Sequence, residues 1–308
     1  MRLDDLDQSS NVEDRRGQSG GGGGFGLPIG GGGLGIGTII ILGLIGWALG
    51  IDPRVLIGGA EILSGGSNTQ QQQQAPRQTR TGSPSDDMGV FVSKVLGSTE
   101  TQWKAVFQEG GKTYRPPILV MYNGRTGAGC GTAQSAMGPF YCPNDQKIYL
   151  DTSFFQELEN RFRGCSGKAC QFSEAYVIAH EVGHHVQNLL GVLPKVQQQQ
   201  QQVDKVEANQ LQVRVELQAD CLAGVWAARE NAALQREGKP SFIEPGDVEA
   251  AMQTASAIGD DTLQRKATGR VVPDAFTHGS AAQRQRWFTT GLKEGNIAAC
   301  NTFRANNI

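Results

Sequence analysis

Hydrophobic and polar positions are distributed very unevenly along the 308 residues. Residues 1–33 are polar and then glycine-rich, a composition that buries too little apolar surface to order a chain, and it predicts a flexible tail. Residues 34–51 form an uncharged apolar run that is long enough to cross a bilayer as one helix. Residues 52–86 are polar and low in complexity, as in a linker. A compact domain is therefore expected over residues 87–308.

The apolar run predicts an uncleaved signal anchor. Trp47 lies where an interfacial side chain would anchor a helix, and the residues around it form only a weak cleavage site for a signal peptide. A buried core helix is the alternative interpretation, but nothing nearby in the sequence could surround it. Arg15 and Arg16 precede the run and Arg54 follows it, so the charge balance predicts a cytoplasmic N-terminus. The domain would then lie on the periplasmic or extracytoplasmic side of the inner membrane, behind a single-pass helix.

Within the domain, the spacing of apolar residues predicts helices and strands in mixed order. Helical spacing over residues 99–108 follows a hydroxyl cap, and buried strands are expected at residues 116–122 and 147–150. A further helix is expected from Phe154.

Charge and motif spacing argue against nucleic-acid and nucleotide ligands. A net charge of −2 and a pI near 6.1 give no support for nucleic-acid binding. The glycine-rich stretch Gly127–Gly131 has neither the dinucleotide-binding nor the P-loop spacing, so it predicts a loop.

The most informative pattern is His180-Glu-Val-Gly-His184, in a helix expected to start at Ser173. Residues four apart lie on one helical face, so the two imidazoles can bind one ion, and Glu181 can reach a water molecule beside it. A helix whose histidines are merely packed or solvated is the alternative. His185 lies about 100° further around the helix and is expected in a supporting or packing role.

A third ligand is expected from a carboxylate, because catalytic zinc usually takes three protein ligands. Apolar residues between Val215 and Trp226 keep helical spacing, which places Glu216 and Asp220 on one face. Glu216 can complete the metal shell, and Asp220 can accept the spare N–H of a liganding histidine. The alternation over residues 211–217 also fits a strand, and a solvated acidic face is disfavoured by the apolar neighbours.

Together these motifs resemble those of the gluzincin metallopeptidases. The chain is similar over nearly its whole length to a bacterial family called "putative neutral zinc metallopeptidase". The likeness rests on the glycine-rich anchor and on four motifs, which are Ser10–Gly17, His180–Gln187, Glu216–Asp220 and Phe276–Arg284. The resemblance implies a zincin-like α+β fold, one zinc ion and hydrolysis of peptide or protein substrates.

The same resemblance calls for a histidine or tyrosine that stabilises the oxyanion of the tetrahedral intermediate. His278 precedes a predicted helix, where it could approach the metal. A capping or hydrogen-bonded surface histidine is the alternative interpretation. Arg284 could support the same pocket, but a solvated side chain is the expectation.

Six cysteines follow the apolar run, and none of them has C-x-x-C spacing. The simplest pairing is sequential, although the sequence leaves the connectivity open. It joins Cys130 to Cys142, Cys165 to Cys170, and Cys221 to Cys300. Disulfides require an oxidising compartment, in agreement with an extracytoplasmic domain, whereas reduced buried thiols would suit a cytosolic one.

The sequence therefore predicts a membrane-anchored zinc peptidase in which Glu181 is the general base. A non-catalytic, zinc-stabilised envelope scaffold or binding protein is the alternative. A scaffold needs metal ligands but no base, so the presence of Glu181 favours the enzyme.

Overall fold

The computed structural model describes residues 1–17, 80–82, 84–160, 165 and 169–308. In this part of the chain, helices and strands mix as the α+β prediction requires. The strands are β1 (Val12–Asp14), β2 (Arg80–Thr81), β3 (Ile118–Tyr122), β4 (Arg125–Ala128), β5 (Gly131–Gln134), β6 (Phe140–Cys142) and β7 (Lys147–Asp151). The α-helices are α1 (Asp87–Glu109), α2 (Ser153–Asn160), α3 (Cys170–Leu189), α4 (Val192–Gln200), α5 (Lys205–Arg236), α6 (Asp247–Ala257), α7 (Asp260–Thr268) and α8 (Ala281–Glu294).

The main sheet has the strand order β2-β1-β3-β7-β6. Strands β1, β3 and β7 are parallel, and both edge strands run antiparallel to their neighbours. Leu119 and Met121 face the large core shared with the helices, while Val120 and Tyr122 face a smaller core that includes residues of the β4-β5 hairpin. Burial on both faces explains why β3 reads as a continuous apolar run.

Residues 1–17 belong to this fold, so the prediction of a flexible tail is wrong for them. Strand β1 lies between β2 and β3, and Val12 is only 1% exposed. Met1 and Leu6 are buried in the large core. The composition misled because a short strand between two others receives its hydrogen bonds and apolar contacts from distant segments.

The predicted transmembrane helix at residues 34–51 lies outside the described residues, as do residues 18–33 of the tail and most of the linker. Among the residues that the structure does describe, no helix is long and apolar enough to span a bilayer. The end of the predicted linker contributes β2 and Asp86, whose side chain caps α1.

Helix α1 is longer than the predicted helix over residues 99–108. Its N-cap is Asp86, and Thr99 lies in its interior, where Oγ1 donates to the carbonyl of Leu96 (2.6 Å). The predicted hydroxyl cap is therefore wrong. Gly97 interrupts the apolar pattern, so the middle of the helix resembles a helix start in the sequence. This glycine has a packing role, since a Cβ there would lie 2.4 Å from the carbonyl oxygen of Asp7.

Helix α3 begins at Cys170 rather than at Ser173, which is fully buried within its first turn. The Cys165–Cys170 disulfide lies at this start, and all three predicted disulfides are confirmed. The Cys221–Cys300 bridge joins α5 to the C-terminal segment. There Thr302 Oγ1 donates to the carbonyl of Arg214 (2.6 Å).

Helices α5 and α8 approach each other at two glycines. A Cβ at Gly291 would lie 1.8 Å from the carbonyl oxygen of Cys221, and one at Gly224 would lie 2.2 Å from that of Phe288. Larger residues at either position would separate the two backbones. This contact matters for function because α5 and α8 both contribute side chains to the candidate site.

We predict that Gly291→Ala lowers the free energy of unfolding by roughly 1–3 kcal/mol, because the added methyl group overpacks the α5–α8 contact. Chemical denaturation measures the change. Gly127→Ala is the matched control, since a Cβ at Gly127 would meet nothing within 4 Å. Equal stability of the two variants would contradict the close contact between these helices.

Candidate metal centre

Three of the predicted site residues converge between α3 and α5. His180 Nε2 and His184 Nε2 are 3.1 Å apart. Glu216 Oε2 lies 3.1 Å from His180 Nε2 and 3.4 Å from His184 Nε2. The helical spacing of the two histidines and the position of Glu216 on α5 together produce this cluster.

The geometry fits a zinc ion. Two atoms bound to tetrahedral zinc at about 2.0–2.1 Å are roughly 3.3 Å from each other. The three donor separations of 3.1, 3.1 and 3.4 Å lie close to that value. Two imidazole nitrogens and one carboxylate oxygen are also a donor set of catalytic zinc sites, which leave one position for water or substrate. His180, His184 and Glu216 are therefore suited to hold zinc.

Asp220 orients the first histidine. Its Oδ1 accepts from His180 Nδ1 (2.8 Å) and from the hydroxyl of Tyr176 (2.6 Å). An ionised carboxylate only accepts hydrogen bonds, so the imidazole carries its proton on Nδ1 and directs the Nε2 lone pair at the cluster. The structure thus places Asp220 where the sequence predicted.

Arg284 is part of this network, so the expectation of a solvated side chain is wrong. Its Nε donates to Asp220 Oδ2 (2.9 Å) and its Nη2 to Oδ1 (2.9 Å), and the residue is 4% exposed. Burial alone would raise the pKa of Asp220, but Arg284 and His180 lower it to about 2. A buried carboxylate needs such a partner. No local pattern in the sequence reveals this pairing.

Gln187 orients the second histidine and was missed by the sequence reasoning. Its Nε2 donates to the carbonyl of Val215 (2.8 Å) and to Gln218 Oε1 (3.0 Å). Because a backbone carbonyl only accepts, the amide oxygen must face His184, whose Nδ1 donates to it (2.9 Å). The Nε2 lone pair of His184 is therefore directed at the cluster. The available signal was a glutamine three residues after a ligand, on the same helical face.

The electrostatic environment favours a cation. Burial lowers the pKa of His180, but the carboxylates of Asp220, Glu216 and Glu181 outweigh it and raise the value to about 10. The pKa of His184 is also raised, because Glu216 and Glu181 outweigh burial. Without a metal, this negative field favours a second proton on each imidazole, at Nε2, and a metal ion would take the place of those protons. Glu181 is itself only 7% exposed, and its negative charge contributes to the raised pKa of both histidines.

His278 lies in the loop before α8, where Asp260 holds it. Asp260 Oδ2 accepts the backbone N–H groups of Thr277 (2.6 Å), His278 (2.6 Å) and Gly279 (3.0 Å). Burial lowers the pKa of His278, whereas Asp260 and Glu216 raise it, and the balance is a raised pKa. Glu216 is therefore close enough to His278 to contribute to this shift.

His185 points away from the cluster. Its Nε2 is 2.6 Å from the carbonyl oxygen of Arg115, and its Nδ1 is 3.1 Å from the hydroxyl of Tyr141. Its ring also packs edge-on against Tyr114 and Tyr141. It therefore connects α3 to the sheet side of the fold.

A His-Glu-x-x-His motif on a helix, together with a glutamate distant in sequence, is a ligand pattern of zinc hydrolases. The family described as "Putative neutral zinc metallopeptidase" matches residues 1–303, and the chain belongs to this family. It is 47% identical over 308 residues to the uncharacterized protein YpfJ of Escherichia coli K12, covering 98% of this chain and 99% of that protein. It is 44% identical over 234 residues to the uncharacterized protein Rv2575 of Mycobacterium tuberculosis H37Rv, covering 75% of this chain and 76% of that protein. No solved structure matches the chain at a significant level.

We predict that Gln187→Leu weakens zinc binding by roughly 10- to 100-fold, because His184 loses the acceptor that fixes its tautomer. Competition with a chelator of known affinity measures the change, and circular dichroism reports whether the variant is folded. Gln108→Leu, at an exposed position of α1, is the matched control. A folded Gln187→Leu variant with unchanged zinc affinity would contradict the role of the amide.

Proposed function

We propose that this protein is a zinc-dependent peptidase that hydrolyses peptide bonds in peptide or protein substrates. The observation that carries the proposal is a buried carboxylate, Glu181, beside a cluster of three metal-ligating side chains. A site that only bound zinc for stability would have no use for this fourth group. Membership in the zinc metallopeptidase family supports the same conclusion.

The residues divide the work of hydrolysis among them. His180, His184 and Glu216 would hold the zinc ion, which would supply polarisation of the scissile carbonyl and a bound water molecule of pKa about 7. Glu181 accepts the proton of the attacking water and then delivers it to the leaving amine. Asp220 and Gln187 keep the imidazoles in the orientation that this geometry requires.

His278 is the proposed donor to the oxyanion of the tetrahedral intermediate. Asp260 holds its backbone N–H and lies 3.4 Å from its Nδ1, and an imidazole N–H can donate to an oxyanion. The imidazole is partly exposed, with 32% of its side chain accessible, so a substrate can reach it.

We infer a zincin-like arrangement of sheet and helices. Strand β6 forms one edge of the main sheet and lies alongside the helix that carries both histidines. Its Tyr141 hydroxyl accepts a hydrogen bond from Asn188 Nδ2 (2.9 Å) and contacts His185, both on α3.

We propose an oxidising, extracytoplasmic compartment for the domain. The support is the set of three disulfides, which pair all six cysteines of the chain. Disulfides of this kind persist where thiols are not kept reduced.

We predict that Glu181→Gln keeps zinc affinity and lowers kcat by roughly 100- to 10,000-fold, because the amide cannot accept the proton. Cleavage of casein, with and without chelator, measures the effect. Glu174→Gln is the matched control. Glu174 is on the same helix, but the charged group that affects its pKa is Glu159 on α2 and not a residue of the metal cluster.

Three outcomes would contradict parts of this account. Full activity of Glu181→Gln would exclude the general-base mechanism. Full kcat in His278→Ala would exclude the oxyanion role of that residue. A zinc-loaded wild-type protein without chelator-sensitive cleavage of casein or a peptide library would favour the non-catalytic scaffold instead.

A further inference from the structure

The apolar stretch at residues 34–51 lies in the sequence between β1 and β2, which are neighbouring strands of one sheet. We call these two strands its flanks. Strand β1 pairs with β2 in the register Glu13–Thr81 and Asp14–Arg80. It also pairs with β3, so it is not a separate hairpin with β2. The chain therefore leaves the sheet after β1 and returns to it at β2, directly beside the point of departure.

The N-terminal segment is integrated into the domain and is not a peripheral attachment. The backbone N–H of Ser9 donates to the carbonyl of Ser93 (2.9 Å), and Asn11 Nδ2 donates to Glu100 Oε1 (3.0 Å). Gly97 allows the backbone at Asp7 to contact α1 closely. Removing this segment would leave one edge of β3 unpaired, with β7 on its other side, and would expose part of the core.

The two arginines that suggested a cytoplasmic N-terminus have structural partners. Arg15 Nη1 donates to the hydroxyl of Thr126 (3.0 Å) and the carbonyl of Gly127 (2.9 Å). Arg16 forms ion pairs with Asp14 and Asp86. Their presence is explained by the fold, so they carry no independent information about orientation in a membrane.

A single membrane crossing is incompatible with this pairing. Adjacent strands lie about 4.8 Å apart, whereas a crossing would separate the two flanks by about 30 Å of hydrocarbon. Two crossings would need about 40 apolar residues. The uncharged stretch before Asp52 is shorter than that, and the residues after it are interrupted by Arg54 and Glu61.

We propose that residues 1–17 and the domain carrying the metal centre lie in the same compartment, on one side of the membrane. This differs from the single-pass topology predicted from the sequence, which places the two on opposite sides. The proposal is independent of the peptidase function.

The first test is a crosslink between the two flanks in the full-length protein in its native membrane. Gly82 N–H donates to the carbonyl of Val12, which makes the next pair, Glu13 and Thr81, a non-hydrogen-bonded pair with Cα atoms about 4.5 Å apart. That spacing suits a disulfide. We expect Glu13→Cys with Thr81→Cys to crosslink in most chains. After cleavage at a protease site inserted after Gln72, the two fragments should remain joined until reductant is added.

Single variants Glu13→Cys and Thr81→Cys are the controls and should give separate fragments. Separate fragments from a double variant that still binds zinc would overturn the proposal, because the flanks would then not be neighbours in the membrane-bound protein.

The second test decides sidedness even if the double variant fails to fold. Gln18→Cys and Gln72→Cys are labelled one at a time with a membrane-impermeant maleimide, in intact and in permeabilised spheroplasts. The unsubstituted protein gives the background. The proposal predicts the same accessibility for both positions. Labelling of one before permeabilisation and of the other only afterwards would overturn it.

Discussion

Asp220 carries a negative charge in the protein interior, and its neutralisation constrains the helices around it. The side chain is fully buried and receives hydrogen bonds from His180 and Tyr176 on α3 and from Arg284 on α8. An unpaired charge at this depth would cost several kcal/mol, so only packing arrangements that bring these groups together are stable. In that arrangement Glu216, one turn before Asp220, faces the second histidine. The metal centre is thus linked to the core of the fold.

Tight backbone contacts and covalent links maintain this alignment. Gly291 allows α8 to contact α5 at Cys221, the residue that follows Asp220, and the disulfide from Cys221 attaches the C-terminal segment to the same point. Gln187 connects the second histidine to the backbone at Val215, adjacent to Glu216. The Gly291 contact joins α8, which carries Arg284, to α5, and Gln187 joins the α3 ligands to α5, so the site and the helical packing are stabilised together.

The sequence was most informative where function imposes a spacing on one helix. His180 and His184, or Glu216 and Asp220, share a face because of helical geometry alone. Arg284 and Gln187 act across or between helices, and their partners depend on tertiary packing that no local pattern specifies. The same limit applies to residues 1–17, whose strand is stabilised by β2 and β3 from elsewhere in the chain. Because residues 1–17 pair with strands of the domain, we propose that they lie on the same side of the membrane as the domain.

X-ray absorption at the zinc edge of the purified full-length protein tests the central claim most directly. If His180, His184 and Glu216 bind the ion, metal analysis will give one zinc per chain, and the spectrum will show nitrogen and oxygen ligands at about 2.0–2.1 Å with the scattering pattern of two imidazoles. Replacing Glu216 with alanine should remove one oxygen ligand. A shell containing sulfur, a shell with fewer than two imidazoles, or a protein that retains no zinc would contradict the account.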